Sequence, residues 1–246
     1  MTLPLFERTE SEPEHDRGAS QWFTPQWLAD RLVRWALPAR IRPGFRIVEP
    51  SAGSGNFVEA AKWIACEEPA NRVDAVELDP RWAEHMRKRF HCGGRREPQA
   101  GQGGIRVVER DFLTLPVPTD RSLRYDLAVG NPPYEKQADV AFLAHAMRVA
   151  KRVAFVVRWA FLANEGTRLA VTRAGWRVRG VASLGRVQFE GDGDTTPLSD
   201  FAAIKLSPRK LDEPDDGSMG APVLEWWSRG GRDEEQREAL RKGTRR

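Results

Sequence analysis

The chain contains 246 residues, enough for one α/β domain of roughly 200 residues with tails and marginal for two. Hydrophobic residues make up 40% and charged residues 30%, and no apolar run approaches the ~18–20 residues that span a bilayer. The net charge of +4 is small, the N-terminus has no apolar secretory core, and the two cysteines form no cluster, so we expect a soluble cytoplasmic protein without membrane partner or metal.

The chain changes character near residue 20. Residues 1–19 lack hydrophobic periodicity and are rich in Glu, Pro and Ser, which predicts a disordered N-terminal arm. Thr24 as N-cap and Pro25 as the first helical residue then predict the start of an amphipathic helix. This helix is expected to end before Pro38.

An alternation of strand and helix patterns follows and extends to residue 206. Strands joined through helices pair in parallel, whereas the last two predicted strands are joined by a polar loop and can pair antiparallel. The pattern predicts an α/β fold: a Rossmann-like, seven-stranded, mostly parallel sheet with helices on both faces and an antiparallel last strand. The strands are predicted at 46–49, 73–77, 105–108, 125–129, 152–157, 177–184 and 201–206, and helices between them at 58–65, 80–90, 137–150 and 165–174.

Two further features concern partners. Residues 207–246 form a polar C-terminal tail, in which the apolar segment around Trp226 and Trp227 is the part that can order. Between His145 and Val187, basic residues greatly outnumber acids, which fits either solvated helix faces or contacts with phosphate. The sequence leaves both interpretations open. The basic residues are Arg148, Lys151, Arg152, Arg158, Arg168, Arg173, Arg177, Arg179 and Arg186.

A glycine-rich turn follows the first predicted strand, at the kind of strand end where parallel sheets bind ligands. Its small residues let the backbone approach a ligand, and the amide groups of the next helix can face a negative group. The turn lacks the Gly-Lys-Ser/Thr of a phosphate-binding loop and the spacing Gly-x-Gly-x-x-Gly. A nucleotide-like ligand and a plain tight turn both remain open. The segment comprises Glu49, Pro50, Ser51, Ala52, Gly53, Ser54, Gly55, Asn56 and Phe57.

Acidic residues follow the next two predicted strands. Glu77 ends the second strand, where a carboxylate can accept hydrogen bonds from both hydroxyls of a ribose. Asp79 precedes a proline and fits a helix N-cap, so we expect Glu77 to bind and Asp79 to cap. Past the third strand, Asp111 can accept from an exocyclic amine, and the neighbouring Phe112 can cover the face of an adenine.

The most specific segment is Asn131–Tyr134, with the sequence Asn-Pro-Pro-Tyr directly after the fourth predicted strand. The two prolines fix the backbone and lack amide donors. The Asn131 side-chain oxygen and the Pro132 carbonyl therefore offer two acceptors to an amine with two hydrogens, and Tyr134 offers a face for stacking on a planar base. A purely structural turn is the alternative.

These segments, in this order, resemble the amino-methyltransferase branch of the class I S-adenosylmethionine-dependent methyltransferases. The resemblance covers residues 20–206 and rests on Glu-Pro-x-Ala-Gly-x-Gly-x-Phe, Glu-Leu-Asp-Pro, Asp-Phe and Asn-Pro-Pro-Tyr. Thr24-Pro25 also resembles the additional cofactor-binding segment of DNA adenine-N6 methyltransferases that carry it at the N-terminus. The resemblance implies one catalytic domain at 20–206, S-adenosyl-L-methionine as cofactor, S-adenosyl-L-homocysteine as product, and no metal.

The resemblance also implies roles for single residues. Asn131, Pro132, Pro133 and Tyr134 would form the catalytic segment, which holds the acceptor amine and stacks on the target base. Phe189 falls where the family often places a second aromatic against that base, and an anchor for its own loop is the equal alternative. The implied cofactor-binding residues are Thr24, Pro25, Glu49, Pro50, Ser51, Ala52, Gly53, Gly55, Phe57, Glu77, Leu78, Asp111, Phe112 and Asn131.

The leading hypothesis is methylation of the exocyclic N6 of adenine in nucleic acid, with DNA favoured over RNA because of Thr24-Pro25. A duplex base would have to be flipped out, or the substrate would be single-stranded. The alternatives are glutamine-N5 methylation of a protein such as a release factor, and a silent nucleic-acid-binding subunit.

Related DNA methyltransferases usually carry a large recognition domain, whereas only residues 207–246 follow the predicted sheet. We therefore expect a short or relaxed recognition site, or a partner subunit for target recognition. The elements available to contact the target are the loops at 91–104 and 186–200 and the tail around Trp226 and Trp227.

Overall fold

The computed structural model describes residues 22–90, 103–135, 138–190, 199–213, 219–220 and 222–227. The predicted arm at 1–19 lies outside the described residues. So do most of the predicted loop at 91–104, residues 191–198 of the predicted loop at 186–200, and the tail beyond Trp227.

Helices and strands alternate along the described chain as the sequence predicts. The α-helices are α1 (Gln26–Ala36), α2 (Asn56–Glu67), α3 (Pro80–Arg89), α4 (Ala138–Val149) and α5 (Glu165–Arg173). The strands are β1 (Arg46–Glu49), β2 (Arg72–Glu77), β3 (Gly104–Glu109), β4 (Leu127–Gly130), β5 (Val153–Arg158), β6 (Trp176–Gly185), β7 (Phe201–Pro208) and β8 (Val223–Trp226).

The strands form one mixed sheet in the order β3-β2-β1-β4-β5-β7-β6-β8. Strands β1 to β5 pair in parallel, and β7 lies antiparallel between β5 and β6. Helices α1, α2 and α3 bury their apolar residues against one face of the sheet, while α4 and α5 pack against the other. The predicted fold class is therefore confirmed, including the antiparallel strand β7.

The sheet has eight strands rather than the predicted seven. The additional strand β8 pairs in parallel with β6 at the edge of the sheet. Three of its four residues are exposed, so the strand has no alternation of buried and exposed positions that a sequence pattern could detect. Trp227, which follows β8, is buried in the core and anchors this strand to the domain.

The N-terminal boundaries of two helices show how their caps work. The prediction that Thr24 caps α1 is wrong: Pro25 is the N-cap, with an extended backbone, and its carbonyl accepts from the amides of Leu28 and Ala29. The prediction that Asp79 caps α3 is confirmed, since its side chain accepts from the Arg81 amide (2.9 Å). Within the described part of the chain, no helix is long and apolar enough to cross a membrane.

Candidate active site

The carboxyl ends of β1, β2 and β4 lie side by side, because β1 is paired in parallel with both of the others. Glu49 ends β1, Glu77 ends β2, and Asn131 follows β4 directly. The Ser51 hydroxyl donates to the main-chain carbonyl of Asn131 (3.0 Å), which ties the glycine-rich turn after β1 to the Asn131–Tyr134 segment. The sequence segments that carry the predicted chemistry thus meet at one edge of the sheet.

The glycine-rich turn has a backbone that requires its glycines. Gly53 and Gly55 have φ values of +51° and +87°, in the left-handed region that residues with a Cβ rarely adopt. A Cβ on Gly53 would also lie 2.7 Å from the ring of Phe23, and one on Gly55 would lie 2.6 Å from the ring of Phe90. Two buried aromatic rings, of Phe23 and Phe90, therefore pack closely against the turn.

Glu49 is a buried carboxylate at the base of this turn. It is 1% exposed, and a Cβ added to Gly130 of β4 would lie 2.3 Å from its Oε1 atom. Oε1 accepts from the Ser51 amide (3.1 Å), whereas Oε2 accepts no hydrogen bond within the described residues. Burial raises the pKa of Glu49 well above its ordinary value, and the nearby Glu77 carboxylate adds to this rise.

Glu77 is held by main-chain amides on both of its oxygens. Oε2 accepts from the Gly53 amide (2.7 Å), and Oε1 accepts from the Asp79 amide (2.8 Å). Burial raises its pKa, although these amide hydrogen bonds oppose the rise. The carboxylate is therefore fixed in orientation, and each oxygen keeps a further lone pair for a ligand. The neighbouring Leu78 side chain is exposed.

The Thr24-Pro25 segment is attached to the turn by hydrogen bonds from the Asn56 side chain, a role of Asn56 that the sequence did not reveal. The buried side-chain amide of Asn56 donates to the Thr24 carbonyl (2.8 Å) and to Glu190 Oε2 (3.0 Å). Phe23 and Glu190 form an antiparallel bridge through both backbone amides. Asparagine at the first position of a helix was the only available signal, and its partners lie 32 and 134 residues away.

Asp111 and Phe112 lie past β3 in different environments. The Asp111 side chain caps a short 3-10 turn by accepting from the Leu113 amide (2.9 Å). The Phe112 ring is 1% exposed and packs against Phe142 and His145 in the core. Leu113, rather than Phe112, presents an apolar side chain to solvent beside Asp111. The roles of Asp111 and Phe112 toward an adenine stay predictions.

The Asn131 side chain is fixed by one hydrogen bond on each side of its amide. Nδ2 donates to the main-chain carbonyl of Trp22 (3.2 Å), and Oδ1 accepts from the Tyr134 hydroxyl. This arrangement assigns Oδ1 as the acceptor end of the amide. Pro132 is buried, and within the described part of the chain its carbonyl accepts no hydrogen bond. Pro133, which lies between Pro132 and Tyr134 in sequence, is partly buried.

Tyr134 is held by residues of β5, α4 and β7. The Arg158 guanidinium donates to the Tyr134 carbonyl (3.0 Å), lies 5.5 Å from the centre of its ring, and pairs with the buried Asp139 (3.4 Å). The ring of Phe201 lies 5.7 Å away on a tilt of 47°. Burial raises the pKa of the Tyr134 hydroxyl, which therefore stays protonated and remains a donor at neutral pH.

Phe189 is 2% exposed and packs edge-on against Trp22 and Phe201. This geometry supports the anchor interpretation of Phe189, since little of its ring is available to a ligand. Trp22, in contrast, is 38% exposed, and its carbonyl contacts Asn131. The sequence did not single out Trp22, because a single tryptophan ahead of a helix has no distinctive pattern.

Most of the predicted basic region is engaged within the protein. Lys151, Arg158, Arg168 and Arg179 pair with carboxylates, and Arg177 is buried. These contacts favour the structural interpretation for those residues. Arg186 is exposed just past β6, at the same edge of the sheet as Asn131, and it has no ion-pair partner among the described residues.

The arrangement can hold a polar ligand with a positive group and neighbouring hydroxyls, and can hold an amine beside it. The turn contacts two buried or half-buried carboxylates through its amides, Glu49 at Ser51 and Glu77 at Gly53, and its Ser51 hydroxyl binds the segment that carries the acceptors of Asn131 and Pro132. Among the described residues, no group of three or more His, Cys, Asp or Glu side chains is arranged to hold a metal ion.

Comparison with known proteins finds methyltransferases among both the sequence relatives and the similar solved structures. No family model matches the chain. The modification methylase CviBIII of Paramecium bursaria Chlorella virus NC1A is 27% identical over 131 residues, which are 52% of this chain and 29% of that protein. A mitochondrial ribosomal RNA small subunit methyltransferase of Arabidopsis thaliana is 26% identical over 220 residues, 83% of this chain and 52% of the relative.

The name of a third relative states which base that enzyme methylates. The rRNA adenine N-6-methyltransferase of Saccharopolyspora erythraea is 30% identical over 119 residues, 48% of this chain and 26% of that enzyme. The chain thus spans about half the length, or less, of these curated relatives.

Solved structures share the architecture at low identity. A Listeria monocytogenes protein assigned to the class I S-adenosylmethionine-dependent methyltransferases superimposes with a TM-score of 0.65 at 11% identity, covering 93% of this chain and 72% of that one. The methyltransferase subunit of a type I restriction-modification system from Streptococcus thermophilus gives 0.63 at 19% identity, covering 90% and 52%. The chain therefore has the fold of the class I S-adenosylmethionine-dependent methyltransferases, and its sequence relatives are methyltransferases.

Proposed function

We propose that this protein transfers a methyl group from S-adenosyl-L-methionine to the exocyclic N6 of adenine in a nucleic acid, with DNA favoured over RNA. The observation that carries the proposal is the acceptor pair, Asn131 Oδ1 and the Pro132 carbonyl, tied through Ser51 to the turn that holds Glu49 and Glu77. An amine with two hydrogens fits two acceptors, and adenine is the base named for the S. erythraea relative.

The residues at the strand ends fit the charges of the cofactor. Glu49 Oε2 is buried without a donor among the described residues, and a positively charged amino group is the partner that such a carboxylate lacks. Glu77 has free lone pairs on both oxygens for ribose hydroxyls. When bound, the cofactor supplies a methyl group on a sulfonium, which is a good leaving group. The remaining cofactor contacts are proposed for Thr24, Pro25, Pro50, Ser51, Ala52, Gly53, Gly55, Phe57, Leu78, Asp111, Phe112 and Asn131.

The chain's own contribution to the reaction is alignment and charge stabilisation. An aromatic amine is a poor nucleophile because its lone pair is delocalised into the ring. Hydrogen bonds from its two N–H groups to Asn131 Oδ1 and the Pro132 carbonyl favour a tetrahedral nitrogen with a localised lone pair, and they stabilise the positive charge that develops there. They also hold the nitrogen in line at ~3–3.5 Å from the carbon it attacks.

The contacts of Asn131 prepare it for this role. Because Nδ2 is engaged by the Trp22 carbonyl, Oδ1 is the end of the amide that faces the amine. The Tyr134 hydroxyl donates to one lone pair of Oδ1, and the second lone pair is available to an N–H group. No strong general base is required, because the methylated nitrogen is acidic and can release its proton to water. Tyr134 would stack on the extruded base, which offsets part of the cost of unstacking it.

The preference for DNA rests on the N-terminal segment. Thr24 is buried and its carbonyl is bound by Asn56 of the glycine-rich turn, so the Thr24-Pro25 segment is part of the candidate cofactor site. Its resemblance is to DNA adenine-N6 methyltransferases that carry this segment at the N-terminus. Relatives named as modification methylases and relatives named as rRNA methyltransferases both match the chain, so RNA is the alternative acceptor.

The decisive experiment offers the purified protein labelled S-adenosyl-L-methionine together with unmethylated DNA, RNA or a release factor in separate reactions. We expect label in nucleic acid, in DNA above RNA, and N6-methyladenine after digestion to nucleosides. Label that appears only in protein would refute the proposal. Omitting added metal and including a chelator should leave the rate unchanged.

A further inference from the structure

The carboxyl edge of the sheet carries an exposed tryptophan whose position the proposed reaction does not explain. Trp159 follows β5 directly and is 47% exposed. Within the described residues, its indole ring makes no hydrogen bond and no ring contact. A half-exposed indole offers a flat apolar face to a ligand, and tryptophan is enriched among the side chains that contribute most to binding at interfaces.

The backbone of Trp159 is nevertheless held firmly beside the catalytic segment. Its amide donates to the Asp200 carbonyl (2.8 Å), and Phe161, two residues further on, is buried in the core. The preceding Arg158 donates to the Tyr134 carbonyl (3.0 Å). A ring presented from a rigid backbone loses little conformational entropy when it binds, which favours stacking on a partner.

Binding of an adenine amine at Asn131 and Pro132 leaves a neighbouring base unstacked, and an exposed indole ring can stack on that base. An adenine whose amine reaches these acceptors has left its neighbours in the strand, so the flanking base exposes a face that was stacked before. We propose that Trp159 stacks on the base adjacent to the target adenine and thereby stabilises the extruded arrangement. The inference rests on the proposed function, because it names the substrate contact of the same site.

Charge at this edge is consistent with a nucleic acid strand as the occupant. Arg186 past β6 and Arg110 past β3 are both exposed, and neither has an ion-pair partner among the described residues. Each lies three strands from β4 in the sheet order, on opposite sides, which is a distance of about 14 Å at the usual strand spacing of about 4.8 Å. Cations at about this distance on both sides of Asn131 suit backbone phosphates a few nucleotides away from the target on the same strand.

The test compares Trp159→Ala and Trp159→Phe with Trp63→Ala. Trp63 is a matched control, because it is 41% exposed but lies on α2, two helical turns from the glycine-rich turn. The substrate is a single-stranded DNA oligonucleotide with one adenine, methylated from labelled cofactor. We expect Trp159→Ala to raise the KM for the oligonucleotide about 5- to 150-fold and to leave the KM for the cofactor unchanged. Trp159→Phe should restore most of the affinity, and Trp63→Ala should match the wild type.

Oligonucleotides with an abasic site on one side of the adenine separate stacking from a general loss of binding. At one of the two positions, the abasic substitution should weaken binding to the wild type and have no further effect on Trp159→Ala. If Trp159→Ala and Trp63→Ala have the same KM for the oligonucleotide, or if the abasic losses are additive with Trp159→Ala at both positions, the inference is wrong while the proposed function stands. A wild-type protein that methylates neither this oligonucleotide nor any duplex DNA or RNA offered to it refutes the proposed function and this inference together.

Discussion

The side-chain amide of Asn131 donates to the main-chain carbonyl of Trp22, although 109 residues separate them in sequence (3.2 Å). The contact joins the segment after β4 to the chain just ahead of α1. In the proposed reaction, it decides which end of the amide faces the amine, because the nitrogen end is engaged. The orientation of the proposed catalytic side chain therefore depends on a residue near the N-terminal boundary of the domain.

Replacing Asn131 with Ala should lower kcat for methyl transfer about 10²- to 10³-fold, the cost of losing one preorganised group that stabilises charge in a transition state. Transfer is measured from labelled cofactor to DNA, and cofactor affinity by calorimetry. Asn131→Asp is an informative second variant, because its carboxylate keeps an acceptor oxygen at this position but has no N–H group to donate to the Trp22 carbonyl. Full transfer by Asn131→Ala with normal cofactor affinity would contradict the role.

Gly53→Ala should weaken cofactor binding and reduce the free energy of unfolding by about 2–4 kcal/mol, since left-handed strain is added to a steric overlap. The added Cβ would meet the ring of Phe23 at 2.7 Å. Gly44→Ala is the control, because Gly44 has φ +82° and its Cβ would meet nothing within 4 Å. Thermal unfolding and calorimetry check the pair; an equal effect of both substitutions would show that Phe23 does not enclose the turn.

The alternation of helices and strands was predictable because each buried strand is a short apolar run bounded by glycine, proline or charged residues. The extent of the sheet was not. Strand β8 joins through backbone pairing at an edge where Val223, Leu224 and Trp226 are exposed, so no burial pattern marks it. The predicted fourth strand also began too early: β4 starts at Leu127, and Tyr125 makes only an isolated bridge to Ala150.

At the site, the sequence order of the motifs was sufficient to predict their meeting at one edge, since parallel strands end on the same side. The aromatic residues were less predictable. The sequence predicts that Phe112 contacts a ligand and that Phe189 either contacts one or anchors its loop, and both are almost fully buried. In contrast, Trp22, whose carbonyl contacts Asn131, and Trp159, which follows β5, are exposed. Burial of an aromatic ring depends on the elements packed around it, which a local pattern does not contain.

Stability of the cofactor-free protein should fall as pH rises above 4.5, the ordinary pKa of a glutamate. The pKa of Glu49 is raised by burial, so the folded state holds a proton that the unfolded state has already lost. In that window the folded state binds more protons, and the free energy of unfolding decreases with pH until the folded pKa is passed. Glu77, whose pKa burial also raises, contributes in the same direction.

Glu49→Gln isolates this effect. The neutral side chain should make the cofactor-free protein more stable than the wild type at pH 7 and should flatten its pH dependence, while cofactor affinity falls because the amino group loses its counter-charge. Denaturant unfolding from pH 4 to pH 8 and calorimetry provide the measurements. If the variant keeps the wild-type pH dependence of unfolding, or the wild-type cofactor affinity, Glu49 is not a buried carboxylate that binds a positive group of the cofactor.

Arg158→Ala should lower kcat by about 10- to 100-fold with little change in cofactor affinity, because a misplaced catalytic segment is costly and the cofactor residues are untouched. The guanidinium supports the Tyr134 carbonyl and ring and pairs with Asp139, whose side chain is only 4% exposed. Arg152→Ala is the control, since Arg152 is exposed and directly precedes β5. A fall in cofactor affinity equal to the fall in kcat would indicate general disruption instead of positioning.

Glu225, in the edge strand β8, contributes a stability that depends on pH in the opposite direction. Its carboxylate accepts from the indole N–H groups of Trp35 (2.8 Å) and Trp227 (3.0 Å), which attaches β8 to α1. Burial opposes ionisation, but the hydrogen bonds from Trp227 and Trp35 hold the pKa of Glu225 below its ordinary value. A lowered pKa means that this stabilisation is present above the ordinary glutamate range and is lost as pH falls through the folded pKa.

Glu225→Ala should therefore cost about 1–3 kcal/mol at pH 7, because two buried or half-buried donors lose a charged acceptor. The loss should shrink at acidic pH, where the wild type also loses the charge. Hydrogen exchange of the β8 amides should accelerate in the variant while β1 stays protected, since β8 is bound to the sheet along one side only. Glu84→Ala is the control: Glu84 is 54% exposed, and its ion pair with Lys88 should contribute less than about 1 kcal/mol. Equal losses for the two variants would mean that the paired indoles do not anchor the eighth strand.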